Sequence, residues 1–180
     1  MRPFHIWAHR CYLSVVDQPH LVAGDGRRFA GFAAAVSVFI VDRAAGRHLL
    51  LSSPAKRGRP GWEVVNGAVE AGESIADAAR REVSEEVGAD VGIELIGVVD
   101  AWTWRYDDLV PNMISIAFAA RYLGGDVVPG DDMSGCEARW MNLSELEALA
   151  ESGSALLPES LSTFVRSLDL VSSSTGPSGR

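Results

Sequence analysis

Three carboxylates crowd one short stretch of the chain: Glu82, Glu85 and Glu86 within "ARREVSEEVGA", Ala79 to Ala89. On a helix, offsets of three and four residues put all three side chains on one face. The like-charged pair 82/86 then costs about 0.2–0.5 kcal/mol in an isolated helix. Arg80 and Arg81 adjoin the cluster, but sequence neighbours point in different directions around a helix. A divalent cation is the expected counterweight. Mg²⁺ prefers carboxylate and carbonyl oxygens, keeps several waters and takes substrate phosphates as further ligands, and Mn²⁺ suits the same donors. The bland alternative is a solvated acidic face.

The residues around the cluster decide between these readings. Gly67, Glu73, Arg81, Glu82, Val83, Glu85, Glu86 and Gly88 fit the pattern G-x5-E-x7-R-E-U-x-E-E-x-G-U, with U a bulky aliphatic. In this the chain resembles the Nudix hydrolases. Ala89 departs at the last U, and Val65-Asn66 stand where the family usually has Pro-Gly. The resemblance implies that Glu82, Glu85 and Glu86 are ligands for Mg²⁺, or Mn²⁺, with Glu86 the principal one and the backbone carbonyl of Asn66 a further one. It implies that Glu73 and Arg81 form a salt bridge that orients the carboxylates, a supporting role of the kind that tunes metal sites. Gly67 is expected in a tight loop that brings backbone close to the ion.

The implied reaction is hydrolysis of the pyrophosphate of a nucleoside diphosphate linked to a group X, of the ADP-ribose, nucleotide-sugar or dinucleoside-polyphosphate type. The cation would neutralise the diphosphate and acidify an attacking water. Two places offer the base: Glu82 in the box, or a loop carboxylate from Asp131, Asp132 or Glu137. A triphosphate pyrophosphatase clearing damaged nucleotides and a non-catalytic ligand sensor of the same fold are the alternatives. The isomerase branch is disfavoured, because Ala68 stands where its histidine would be.

Substrate contacts are expected before and after the box. Trp102, Trp104 and Tyr106 alternate along a strand-like run and so share a face. They fit a stacking wall for a base and, equally, an aromatic core stripe. Trp62 is a second stacking candidate, against a buried structural role. Arg57, within "KRGR" at 56–59, is a cation that suits terminal phosphates, against a solvated loop.

These residues need elements to hold them. "AAAVSVFIV" from Ala33 reads as a buried strand, "HLLLS" from His48 as its hairpin partner and "WEVV" from Trp62 as a short strand. That strand leads into Asn66-Gly67, a pair suited to a turn of left-handed backbone. Ser74 is expected to cap the box helix with Asp77 as reciprocal partner, an apolar face runs through Ile75, Ala78, Ala79, Val83 and Val87, and Gly88 ends the helix. Strands follow at Val91–Trp104, Pro111–Leu123 and Glu137–Met141. Helices follow at Asn142–Ala150, with Asn142 as cap, and at Pro158–Leu168. The order predicts an α/β sandwich built on a mixed sheet, and the resemblance implies the Nudix-like α/β/α form of it. Residues 1–31 form an N-terminal extension, a strand or dimer arm, 32–169 the domain, and 170–180 a disordered tail.

The whole chain sets bounds. Its 180 residues are 47% hydrophobic and 22% charged, with a net charge of −8. That charge argues against general affinity for nucleic acid or an anionic membrane, so a small nucleotide is the expected partner, with a homodimer open. Cys11 and Cys136 lack metal-ligand spacing and read as reduced thiols in a cytoplasmic protein, with one disulfide as the alternative.

Overall fold

The computed structural model describes residues 20–52, 61–153, 155–157 and 160–174. It separates into two compact units, Met1–Phe32 and Ala33–Arg180. In the first unit, β1 (His20–Val22) and β2 (Arg28–Ala30) pair as an antiparallel hairpin. Asp25 holds the turn by accepting from the Arg27 backbone and guanidinium. Leu21, Val22 and Phe29 on this hairpin are exposed.

The second unit is built on β3 (Ala33–Asp42), which is buried along most of its length because both of its faces are covered. β8 (Met113–Gly124) lies parallel to it, and β7 (Gly92–Trp104) pairs antiparallel with β8 at the sheet's edge. The other side of β3 is shared. Its C-terminal end takes β4 (Arg47–Ser52), while residues 35–38 take β6 (Val65–Ala68). β4 continues the sheet to β5 (Gly61–Glu63), to β9 (Ala138–Met141) and, through β5, to β10 (Ala155–Leu157). The expected single strand "WEVV" is thus two strands broken at Val64, because Glu63 pairs with β4 and Val65 with β3.

Side-chain alternation along β3 distributes the helices. Val36, Val38 and Ile40 pack with Val83 and Val87 of α1 (Ile75–Val87). Phe39 packs with Leu146 of α2 (Leu143–Glu151) and Phe164 of α3 (Leu161–Ser173), and Val41 packs with Val171 of α3. The expected α/β/α sandwich on a mixed sheet is present. Ala117 and Ala119 on β8 are fully buried on the α3 side, where their small side chains let that helix approach closely. Thr163 donates to Asp100 of β7 at 3.0 Å, and Arg166 adds an ion pair to the same carboxylate.

Several boundaries differ from the sequence expectation. Asn66 and Gly67 lie within β6 rather than in a left-handed turn, because pairing with Ser37 and Val36 extends them; among the described residues only Asp131 has a positive φ without being glycine. Ser74 caps α1, but Asp77 bonds to the Ser74 hydroxyl instead of returning to its backbone, so the reciprocal box is incomplete. α3 starts at Leu161 and runs to Ser173, five residues beyond the expected end. Residues 170–173, assigned by composition to the tail, are helical because Val171 is buried against Val41 and Ala119.

Candidate active site

The buried face of α1 comprises Ala78, Ala79, Glu82, Val83, Glu86 and Val87. Two of the three crowded glutamates therefore sit on the face that meets the sheet, Glu82 at 8% and Glu86 at 3% exposure, while Glu85 stays exposed. That is incompatible with a merely solvated acidic face, since burying a carboxylate needs a specific partner.

The partner surface is the outer edge of β6. In antiparallel pairing, alternate residues turn their N–H and C=O away from the neighbouring strand. Asn66 and Ala68 turn theirs towards α1. The Asn66 amide donates to Glu86 Oε2 at 3.1 Å, and Ala68 C=O accepts from Arg81 at 2.8 Å. Between them, a Cβ on Gly67 would lie 2.0 Å from the Glu82 carboxylate. Gly67 is thus required for close approach, in a strand and not in the expected tight loop.

Arg81 organises the rest. Its Nε and one amino group fork onto Glu73 at 3.2 and 2.8 Å. Its other amino group donates to Glu82 and to Glu85, both at 2.9 Å. With the bond to Ala68, all five of its N–H donors are used. The expected Arg81–Glu73 salt bridge is present. The expectation that Arg81 points away from its neighbour Glu82 is overturned, because a long guanidinium side chain spans the angle between adjacent helical positions. Arg81 lowers the Glu73 carboxyl below its usual range, and Glu73 foremost, with Glu82 and Glu85, raises Arg81. Burial pushes the Glu82 carboxyl up, against the pull of Arg81. Among the described residues, no three His, Cys, Asp or Glu side chains converge as a group that could hold a metal ion; Arg81 stands between Glu82 and Glu85, and Glu86 is turned to β6.

The donor set nevertheless fits a hard cation. It is all oxygen, two of its carboxylates are buried, and the Asn66 carbonyl shares the edge from which its amide reaches Glu86. A loop closes over the C-terminal turn of α1: Val128 N donates to Val87 O at 2.9 Å and Gly130 N to Glu86 O at 3.1 Å. The candidate bases Asp131 and Asp132 follow directly in a 3-10 turn, exposed, with the buried Met133 anchoring the turn in the core. Glu137 is exposed at the entry to β9.

The substrate candidates divide. Trp62 and Trp102 are half-buried, packed against the cluster of Phe39, Val64 and Phe164. Trp104 and Tyr106 are 40% and 65% exposed, edge to face at 5.7 Å, with the Trp104 indole donating to Ser115. The stripe is core at one end and open at the other. Arg57 and the rest of "KRGR" lie outside the described residues. The sequence reading missed Glu63, which is fully buried and accepts from the Asn66 side chain at 3.1 Å; a charged residue two positions before Val65 in an otherwise apolar strand was the available signal.

A family model described as NUDIX domain matches residues 31–160. The chain belongs to the Nudix family. An NAD-capped RNA hydrolase NudC from Pseudomonas aeruginosa (strain LESB58) is 38% identical over 103 residues, covering 56% of this chain and 34% of that protein. The Nudix chain thus spans about a third of the length of that curated relative. Among solved structures, a Nudix hydrolase from Nitrosomonas europaea aligns with a TM-score of 0.61 at 17% identity, over 79% of this chain and 91% of that one. An ADP-ribose pyrophosphatase from Streptococcus suis 89-1591 aligns with a TM-score of 0.58 at 18% identity, over 81% and 96%. These two likenesses bear on the fold alone. The expectation of no nucleic-acid partner gains no support, since the relative's name carries capped RNA. No described helix is long and apolar enough to cross a membrane.

Proposed function

We propose that this Nudix domain, residues 32–169, hydrolyses the pyrophosphate of a nucleoside diphosphate linked to a second group, with Mg²⁺ or Mn²⁺ held by Glu82, Glu85, Glu86 and the Asn66 carbonyl. The observation that carries this reading is the burial of Glu82 and Glu86 on the helix face against β6, where Gly67 leaves room for a carboxylate. When bound, the cation neutralises charge on the diphosphate and makes an attacking water more acidic. NAD, the nucleotide in the name of the relative, contains an adenosine diphosphate joined to a further group. That chemistry favours this substrate class over free triphosphates.

The chain's own groups supply the remaining work. Arg81, anchored on Glu73 and Ala68, keeps Glu82 and Glu85 together, and a cation held by those carboxylates would compete with it for their oxygens. Trp104 and Tyr106 offer open aromatic surface for stacking a base. Glu82, shielded from water, and the exposed loop carboxylates Asp131, Asp132 and Glu137 are the two sources of a proton acceptor.

Glu86→Gln removes one charge without changing shape. It is expected to lower kcat on ADP-ribose or NAD by on the order of 100-fold while the melting temperature holds. Chelation with EDTA is expected to abolish turnover of the wild type, and added Mg²⁺ to restore it. Phosphate-product assays on both samples check this; full turnover in excess chelator would refute the reading.

A further inference from the structure

Glu63 lies at the end of β5, fully buried, next to Val64, where β5 ends and β6 has yet to begin. A carboxylate in that position costs desolvation that an aliphatic side chain would not, so its contacts matter. Its Oε2 accepts from Asn66 Nδ2 at 3.1 Å, and the same Nδ2 donates to Val64 O at 2.9 Å. Both amide hydrogens of Asn66 are thereby used. The Asn66 side chain bridges the strand break, while its backbone N–H holds Glu86 Oε2.

The need for such a bridge is local. β6 has only four residues and pairs with β3 along one edge; its other edge carries Asn66 and Ala68 towards α1. Where the family pattern has Pro-Gly, this chain has Val65-Asn66, so it lacks the rigid ring that would set the backbone just before the site. The Asn66 fork, fixed by Glu63, supplies that constraint from the side chain.

We propose that Glu63 is a positioning residue for the cation site, acting through Asn66: its carboxylate fixes the Asn66 side chain and, with it, the backbone that holds Glu86. The inference rests on the cation-dependent reading above. Its test is Mn²⁺ binding by isothermal titration, with ¹⁵N NMR of the metal-free protein and thermal melting as a check of folding. Glu63→Met and Asn66→Ala are each expected to weaken Mn²⁺ about tenfold. The double variant should be no weaker than the worse single one, because both break one linkage. Glu63→Gln keeps an oxygen for Asn66 Nδ2 and should recover most of the affinity. In Glu63→Met the Asn66 side-chain amide signals and the Asn66 backbone amide should both shift.

Wild-type affinity in folded Asn66→Ala would overturn the proposal, as would additive losses in the double variant. If Glu63→Met does not fold, Asn66→Ala and Glu63→Gln still decide the matter. Failure of the underlying reading looks different: a wild type that takes up no Mn²⁺, or a Glu86→Gln variant of undiminished affinity, overturns both.

Discussion

Gly67 shows how one missing atom shapes the site. It is in extended strand, where alanine is sterically allowed, yet an added Cβ would meet the Glu82 carboxylate at 2.0 Å. Glu82 cannot swing away freely, being buried and bonded to Arg81. Gly67→Ala is therefore expected to displace that carboxylate and weaken both turnover and Mn²⁺ affinity by about tenfold or more, with the fold retained. Parallel kinetics and metal titration check this; unchanged values would mean that Glu82 has no fixed place in the site. The three glutamates, legible from spacing alone, were expected to need an external cation. Arg81 provides an internal one, because a guanidinium with five donors serves several carboxylates at once. Residue spacing could not reveal that, since it depends on the rotamer of a long side chain.

The helices differ in how they begin, and that difference is measurable. α2 has a complete capping box: the Asn142 side chain accepts from Glu145 N at 3.0 Å, and Glu145 returns to Asn142 N at 2.9 Å. At α1, Asp77 satisfies the Ser74 hydroxyl instead. Aspartate is one methylene shorter than the Glu or Gln of the usual box. Asn142→Ala removes one arm of the α2 box and is expected to cost about 1 kcal/mol in urea unfolding, with the proposed cation site, on the opposite face of the sheet, unaffected. Loss of catalysis in that variant would contradict the layered architecture. The elements were largely legible because their apolar periodicities are strong. The β5–β6 break was not, because it arises from two different partner strands claiming adjacent residues.

At the scale of the whole molecule, His48 joins the sheet to α3. It is fully buried, bonded through Nε2 to Ser167 Oγ at 2.8 Å and edge-on to Phe164 at 5.2 Å. Ser167 itself donates to Phe164 O, so it accepts from the imidazole, and Nδ1 is buried with no partner among the described residues. Burial lowers the imidazole from 6.5 to about 4. The unfolded chain thus takes up a proton near its ordinary value while the folded one refuses it. Stability is full above that value and falls as pH drops towards about 4, with a total loss on the order of 3 kcal/mol from this group. His48→Gln keeps a hydrogen-bonding end without the titration. Urea midpoints at pH 7 and pH 4.5 should therefore differ less in the variant than in the wild type; an equal acid loss in both would place the cause elsewhere.

By itself, the sequence determined the family, the box glutamates, the salt bridge between Arg81 and Glu73 and the layered α/β/α arrangement. The box pattern and the order of elements are matters of local spacing and periodicity, which a chain carries in its order of residues, and the salt bridge and the layering followed from the family resemblance that this pattern carries. Only the tertiary structure decided that Glu82 and Glu86 face inward, that Gly67 makes room for one of them, and that Trp62 and Trp102 pack half-buried against the core while Trp104 and Tyr106 stay open. It also brought Glu63 to Asn66. Each of these depends on which surfaces meet when strands pair and helices dock, and burial is a property of both partners, not of either segment alone.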